Sequence, residues 1–222
     1  DCESTDNSIE IAKSNKCKIF NKENNINLNV NKSYAINKCE CDWIFYIDPD
    51  ERITELLKNE IKSLIRNNNK FYSAYKIKRL NYYLGERLQY GGVGNDFQLR
   101  LFKKNKGYFP NKHVHENLVI NGKVGKLKNS FKHYSYLNHN DILKKLDFYT
   151  DFEASFLKEK GCKISVVKLI YFLFILPNAR FVKRFYIKLG FLDGFEGYLY
   201  ALYDNYSFKL RYIKLWLINR DN

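Results

Sequence analysis

An unbroken apolar run, Trp43 to Ile47, leads straight into Asp48, Pro49, Asp50 and Glu51. A strand with one face in water alternates apolar and polar residues, so a continuous run of this length is the pattern of a strand covered on both faces. Behind it, Thr54 is placed to cap the segment 54–68, in which Leu57, Ile61, Leu64 and Ile65 fall on one helical stripe. A doubly covered strand followed by an amphipathic helix restricts the chain to an α/β architecture.

The flanking sequence extends that pattern. Residues 4–15 read as a helix with Asn7 and Glu10 at capping-box spacing, 17–20 as a short strand and 31–40 as a helix. Strand, helix, strand, helix predicts a parallel sheet. Farther on, 72–80, 97–104 and 130–136 read as strands, and Asn121-Gly122 within 117–127 predicts a type I′ hairpin. A mixed or antiparallel extension is therefore expected on the parallel core.

From residue 140 the pattern is helical. Residues 140–161 end at Gly161, a favourable C-cap. The apolar run 164–177 is too short to cross a bilayer and carries Lys168, with Lys163, Arg180, Lys183 and Arg184 at its flanks. Together with the tyrosines, lysines and tryptophan of 198–218, it reads as a helix lying in a membrane interface, the alternative being a buried core helix.

Charge bears on partners. Lys and Arg number 38 against 24 Asp and Glu, a formal net charge of +14. Such a chain attracts anions: nucleic acid, acidic headgroups or phosphorylated substrates. The basic residues are scattered and no nucleic-acid motif is present, so nucleic acid is not expected as a partner. The 5 cysteines contain no C-x-x-C, and Cys39-x-Cys41 has no second pair to complete a zinc site, which points to reduced thiols.

The acids at the strand end have three readings. In open α/β sheets ligands bind beyond the carboxyl ends of strands, and two carboxylates one residue apart can grip Mg²⁺ or Mn²⁺ on a substrate diphosphate. An apolar strand ending in D-x-D also marks the aspartyl nucleophile of dehalogenase-type phosphatases, but Arg52 stands where that motif needs Thr or Val. The third reading is a strand terminus running into solvent.

The surrounding blocks decide between them. The segment 1–13, "DCESTDNSIEIAK", the block 31–53 with "WIFYIDPDERI", and then "GNDFQLRLFKK" (94–104), "HVHENL" (113–118), "GKLKNSFKHYSY" (125–136) and "GFLDG" (190–194) occur in the order found in family 2 GT-A glycosyltransferases. The chain resembles in particular the bacterial lipopolysaccharide-core β-glucosyltransferases of the WaaE/KdtX type. In that family an apolar strand ending in Asn-Glu would come ahead of Asp1, and Cys2 and Cys41 replace residues more usual there.

The resemblance implies a GT-A fold, an α/β nucleotide-sugar domain over 1–138 and a helical, membrane-associated tail over 139–222. It implies an inverting hexosyl transfer from a nucleoside-diphosphate sugar, UDP-linked by expectation. The acceptor would be a lipid-linked or lipopolysaccharide-type glycan, reached from the inner face of the bacterial cytoplasmic membrane at an anionic lipid surface. Asp1, Lys32 and Asp48 would bind the nucleotide sugar. Asp48, Asp50 and His115 would hold Mg²⁺ or Mn²⁺. An inverting transfer needs a base for the acceptor hydroxyl, and Asp96, in the glycine-rich loop before 97–104, is the first candidate, with Glu116 second. Gln98, Arg100 and His113 would contact the acceptor, and His133 is a third histidine open to the metal or the acceptor. The competing function is a non-catalytic basic module that binds membrane or nucleic acid.

Overall fold

The computed structural model describes residues 1–25, 27–67, 71–110, 117–162 and 165–220. The chain is a mixed α/β protein with C-terminal helices. Its elements begin with α1 (Ser8–Ser14), α2 (Leu28–Lys38), β1 (Trp43–Phe45), β2 (Glu51–Ile53) and α3 (Glu55–Arg66). The strands β3 (Ala74–Tyr83), β4 (Glu86–Arg87), β5 (Phe97–Lys103), β6 (Gly107–Tyr108), β7 (Val119–Ile120) and β8 (Val124–Tyr136) follow. The main sheet has the order β1-β5-β3-β8-β2, with β4 on β3, while β6 and β7 form a separate pair.

Most ladders are antiparallel, including β1 with β5 and β2 with β8. β8 runs parallel to β3, since Ser73 N donates to Lys123 O and, farther along both strands, Leu84 N donates to Tyr136 O. The sheet is thus mixed, and its parallel part is not where the sequence pattern put it. Residues 17–20 form no strand, and β1 is antiparallel to its neighbour. The predicted hairpin is also absent: β7 pairs with β6, and Gly122 takes φ +131°, away from the turn geometry of type I′. Asn7 stands at the N-cap of α1 without a capping bond from its side chain; Asp6 instead accepts from Ser8 N at 3.0 Å.

Two compact units are present. The first comprises Asp1–Asp48, Glu55–Ile77 and Phe97–Asn129. Its core gathers Ile44 of β1, Ala74 of β3 and Phe102 of β5 with Phe109 and Leu118. α3 buries Leu57 completely, as its stripe requires, and Glu60 on the same helix accepts from the backbone N–H groups of Lys128 and Asn129 at 2.8 and 2.9 Å. Burial raises the Glu60 carboxyl, but these bonds outweigh it and hold the group below its ordinary range.

The second unit comprises Pro49–Thr54, Lys78–Asp96 and Ser130–Asn222. It holds β2, the later parts of β3 and β8, and the helices. α4 (His139–Glu159) ends, as predicted, at Gly161 with φ +70°. Next come α5 (Val166–Ile170), a π-helical turn (Tyr171–Ile175), α6 (Leu176–Val182), a second π-helical turn (Lys183–Ile187), a 3₁₀ turn (Gly190–Asp193) and α7 (Gly194–Arg220). α4 packs on α7 through small and apolar contacts, with Ala154, Ala201 and Leu215 essentially inaccessible. Charge pairs lock the same face: Arg211 to Glu153, and Lys214 to Asp147 and Asp151, all at 2.7 Å. Among the described residues no helix is long and apolar enough to cross a membrane.

Candidate active site

In the first unit, Asp48 is held on both oxygens. Lys32, from α2, reaches Oδ1 at 2.9 Å, and Arg100, from β5, reaches Oδ2 at 2.7 Å. The two cations differ in access: Arg100 is buried with its guanidinium 4.5 Å from the Tyr46 ring centre, whereas the Lys32 side chain keeps 30% exposure. Burial pushes the Asp48 carboxyl up, but the charges of Arg100 and Lys32 outweigh it, leaving the group below its ordinary value. Lys32, Asp48 and Arg100 therefore form one cluster. Gln98 lies on β5 two residues before Arg100, and so on the same strand face. Asp1 is separate from this cluster, at the wall of a cavity of about 780 Å³ that Tyr34 and Trp43 also line.

In the second unit a cavity of about 250 Å³ is lined by Asp50, Arg79, Asn81, Asp96, His133 and Lys145, with tyrosines 82, 136, 149 and 200 completing its wall. Alternation along strands explains the placement. Arg79 and Asn81 are two apart on β3 and share a face, as do His133 and Ser135 on β8. Asp50 arrives at the start of β2, where Tyr134 N donates to its carbonyl at 2.8 Å. Asp96 arrives on the loop that precedes β5, where Arg79 N donates to its carbonyl, also at 2.8 Å.

One polar network joins these groups. Arg79 Nε donates to Asp96 Oδ2 at 2.7 Å and Asn81 Nδ2 donates to the same oxygen at 3.1 Å. Asn81 Oδ1 lies 2.9 Å from His133 Nδ1. His133 Nε2 and Lys145 Nζ each lie 3.5 Å from Asp50 Oδ2. Burial raises the Asp50 carboxyl, but His133, which in its protonated form donates to Asp50 and carries charge, and Lys145 outweigh it and bring the group down to about 2. The acids are thus not a solvated strand end: Glu51 is buried, and both aspartates are tied to basic partners.

The loop that carries Asp96 needs its glycines. Gly91 and Gly92 take φ of +66° and +92°, and a Cβ on Gly94 would stand 1.8 Å from the carbonyl oxygen of Gln89. The carboxylate of Asp193 accepts from Gln89 N and Tyr90 N at 2.9 and 2.8 Å, and Arg184 donates to Gly91 O at 3.2 Å.

For a divalent ion, the donor set bears on fit. Among the described residues no group of three His, Cys, Asp or Glu converges. The pair that does meet is Asp50 Oδ2 and His133 Nε2. Two ligands at about 2.1 Å from one ion stand roughly 3–3.5 Å apart, so this pair fits an ion that keeps several waters and takes further ligands from substrate, as Mg²⁺ does. Asp48 fits less well, since a cation already sits on each of its oxygens. His113, His115 and Glu116 lie outside the described residues.

Sequence reasoning missed Arg79, Asn81 and Lys145. Arg79 lies in a run read as a strand and Lys145 in one read as a helix, neither with a local signal of a site, and Asn81 sits in a stretch of polar and aromatic residues that points to no site. Asp193 stood in a block that the family resemblance singled out, but its carboxylate signalled no link to the Asp96 loop.

Two carboxylates, a histidine and a lysine thus line one cavity of the second unit. No family model matches the chain. It is 30% identical over 225 residues to an uncharacterised glycosyltransferase of Rickettsia typhi, covering 97% of this chain and 75% of that one. An uncharacterised glycosyltransferase of Rickettsia prowazekii is 29% identical over the same shares. The lipopolysaccharide core biosynthesis glycosyltransferase LpsC of Rhizobium meliloti is 26% identical over 195 residues, 81% of this chain and 70% of that protein. The chain belongs to this family of glycosyltransferases.

Proposed function

We propose that the protein is an inverting, metal-dependent glycosyltransferase of the GT-A type. It moves a sugar from a nucleoside-diphosphate donor to a membrane-associated glycan of the lipopolysaccharide-core kind. The observation that carries the reading is the convergence of Asp50, His133 and Asp96 on one cavity of about 250 Å³. That space is smaller than the roughly 300–1,000 Å³ of a pocket for a drug-sized molecule, and suits one ring and its reacting hydroxyl.

The roles follow from chemistry. Asp96 accepts the proton of the acceptor hydroxyl as that oxygen attacks the anomeric carbon from the face opposite the leaving group. Arg79 and Asn81 hold one of its oxygens in place. Asp50 and His133 hold Mg²⁺ or Mn²⁺, and when bound such an ion offsets the charge that develops on the departing diphosphate. Lys32 and Asp48 serve the nucleotide end, with Asp1 toward the base or ribose. Gln98 and Arg100 are assigned to the acceptor by family resemblance, as are His113 to the acceptor, His115 to the metal and Glu116 to proton transfer. The test is calorimetry with UDP with and without Mn²⁺, followed by transfer or hydrolysis assays across UDP-, GDP- and ADP-sugars. Metal-dependent nucleotide binding is expected. A chain that binds none of these with or without metal is a basic binding module instead.

The helical region supports peripheral attachment to the inner face of the cytoplasmic membrane. Between Lys160 and Leu192 there is no Asp or Glu, while Lys168, Lys183 and Lys188 are exposed. Large apolar side chains are exposed beside them, Val167 at 77% and Ile187 at 71%. Apolar surface of this extent on a monomer marks an interaction face, and lysines around it favour anionic lipid. Flotation with vesicles containing phosphatidylglycerol should recover the protein, less so as salt rises. Equal recovery with purely zwitterionic vesicles contradicts the preference for anionic lipid, and no recovery with either contradicts the membrane assignment.

A further inference from the structure

We propose that Asn81 is a positioning residue whose single amide does two jobs: it fixes His133 as the Nδ1–H tautomer, so that the Nε2 lone pair faces Asp50, and it holds Asp96. The proposal rests on the reading of Asp50 and His133 as metal ligands for its purpose, but not for its geometry.

The orientation of the amide follows from its neighbours. One end of Asn81 meets Asp96 Oδ2 at 3.1 Å and the carbonyl oxygen of Val93 at 3.3 Å. Both are acceptors, so that end is the NH₂ group; the reverse orientation sets three oxygens together with no proton among them. The other end is then Oδ1, which can only accept. It lies 2.9 Å from His133 Nδ1, so Nδ1 carries the hydrogen. Ser135 Oγ, 3.0 Å from the same nitrogen, can accept a share of that hydrogen or turn its own elsewhere. In the neutral ring the proton is therefore spent on Asn81, and Nε2 is left as a lone pair 3.5 Å from Asp50 Oδ2.

Two acceptors face each other across that gap. A neutral imidazole left to itself would turn its N–H toward the carboxylate, so some group must impose the opposite tautomer, and Asn81 is placed to do it. A lone pair and a carboxylate oxygen converging from two strands are the donor arrangement a divalent ion takes. Histidine ligands are commonly fixed in this way by a bond to the remote nitrogen. Asn81 is itself buried, which holds the amide against rotation.

The experiment is long-range ¹H–¹⁵N NMR of the ¹⁵N-histidine-labelled chain without metal, at a pH where the ring is neutral. The chain has 4 histidines, and His133→Gln assigns the signal. The wild type is expected to show the Nδ1–H tautomer. Asn81→Ala should revert it to Nε2–H and weaken Mn²⁺ binding by about 10–100-fold. Asn81→Asp keeps an acceptor for Nδ1–H but loses the donor to Asp96. It should retain the tautomer and Mn²⁺ binding, while kcat falls and the donor KM stays. An Nε2–H signal in the wild type, or an unchanged tautomer in Asn81→Ala, overturns the first role. Unchanged kcat in Asn81→Asp overturns the second. Should Asn81→Ala not fold, the wild-type tautomer and Asn81→Asp still decide both. A wild type with the Nδ1–H tautomer but no Mn²⁺ binding refutes the metal reading and leaves the tautomer assignment standing.

Discussion

Asp96→Asn is expected to lower kcat by about 10²–10⁴-fold, the range a positioned base contributes. Binding of donor and metal should change little. The substitution is nearly isosteric, and its carbonyl oxygen can still accept from Arg79 and Asn81, so the loop should keep its place. What is lost is the negative charge and the capacity to take a proton. Steady-state kinetics with calorimetric donor binding separates the outcomes. Loss of donor binding would move Asp96 to the donor site, and full turnover would leave the transfer without this base. The single-site result is informative because Asp96 and Asp50 line the same cavity, so a general collapse of that cavity would also disturb metal binding.

Asp50→Asn should remove metal-dependent turnover and weaken Mn²⁺ binding by about 10-fold or more, since a ligand is lost and His133 alone remains. Turnover that survives the substitution and is insensitive to chelator would exclude Asp50 as a ligand. The same variant has a second signature. The Asp50 carboxyl is brought from its ordinary value to about 2 in the folded protein. A depressed carboxyl contributes stability that is fully present above the unfolded-state value near 4. That contribution is lost as pH falls through the folded value. Denaturant unfolding should therefore show the wild type losing stability between about pH 4 and pH 2, and Asp50→Asn losing less over that window. An identical acid limb in both proteins would mean that the His133 and Lys145 contacts add nothing in solution.

Much of the fold was legible where one rule acts alone. The runs that became β3 and β5, the helix α3 with Leu57 buried, and the Gly161 stop of α4 follow from local periodicity and capping and appear where expected, although Ile65 of the predicted α3 stripe is exposed. Local pattern failed where the partner decides. Residues 17–20 have strand-like composition but no strand to pair with, and Asn121-Gly122 has hairpin chemistry while β7 pairs with β6 instead. The site divides in the same way. Acids at a strand end and an Asp in a glycine-rich loop are visible as local signals, and the structure places Asp50 and Asp96 on one cavity. Arg79, Asn81 and Lys145 matter only because β3 and α4 bring them to the cavity, and nothing local marks a lysine on a helix as facing a carboxylate.

The bonds from Gln89 and Tyr90 to Asp193 also set an order of events during synthesis. The loop carrying Asp96 is made early, but the carboxylate that fixes its first two N–H groups comes 103 and 104 residues later. A nascent chain released to residue 138 would hold the strands and lack this clamp, along with Lys145 and Tyr200 of the cavity wall. The loop can take its final form only once residue 193 has cleared the ribosome. The loop that carries Asp96 is therefore completed later than the strands around it, after α4 and the residues up to 193 have been translated.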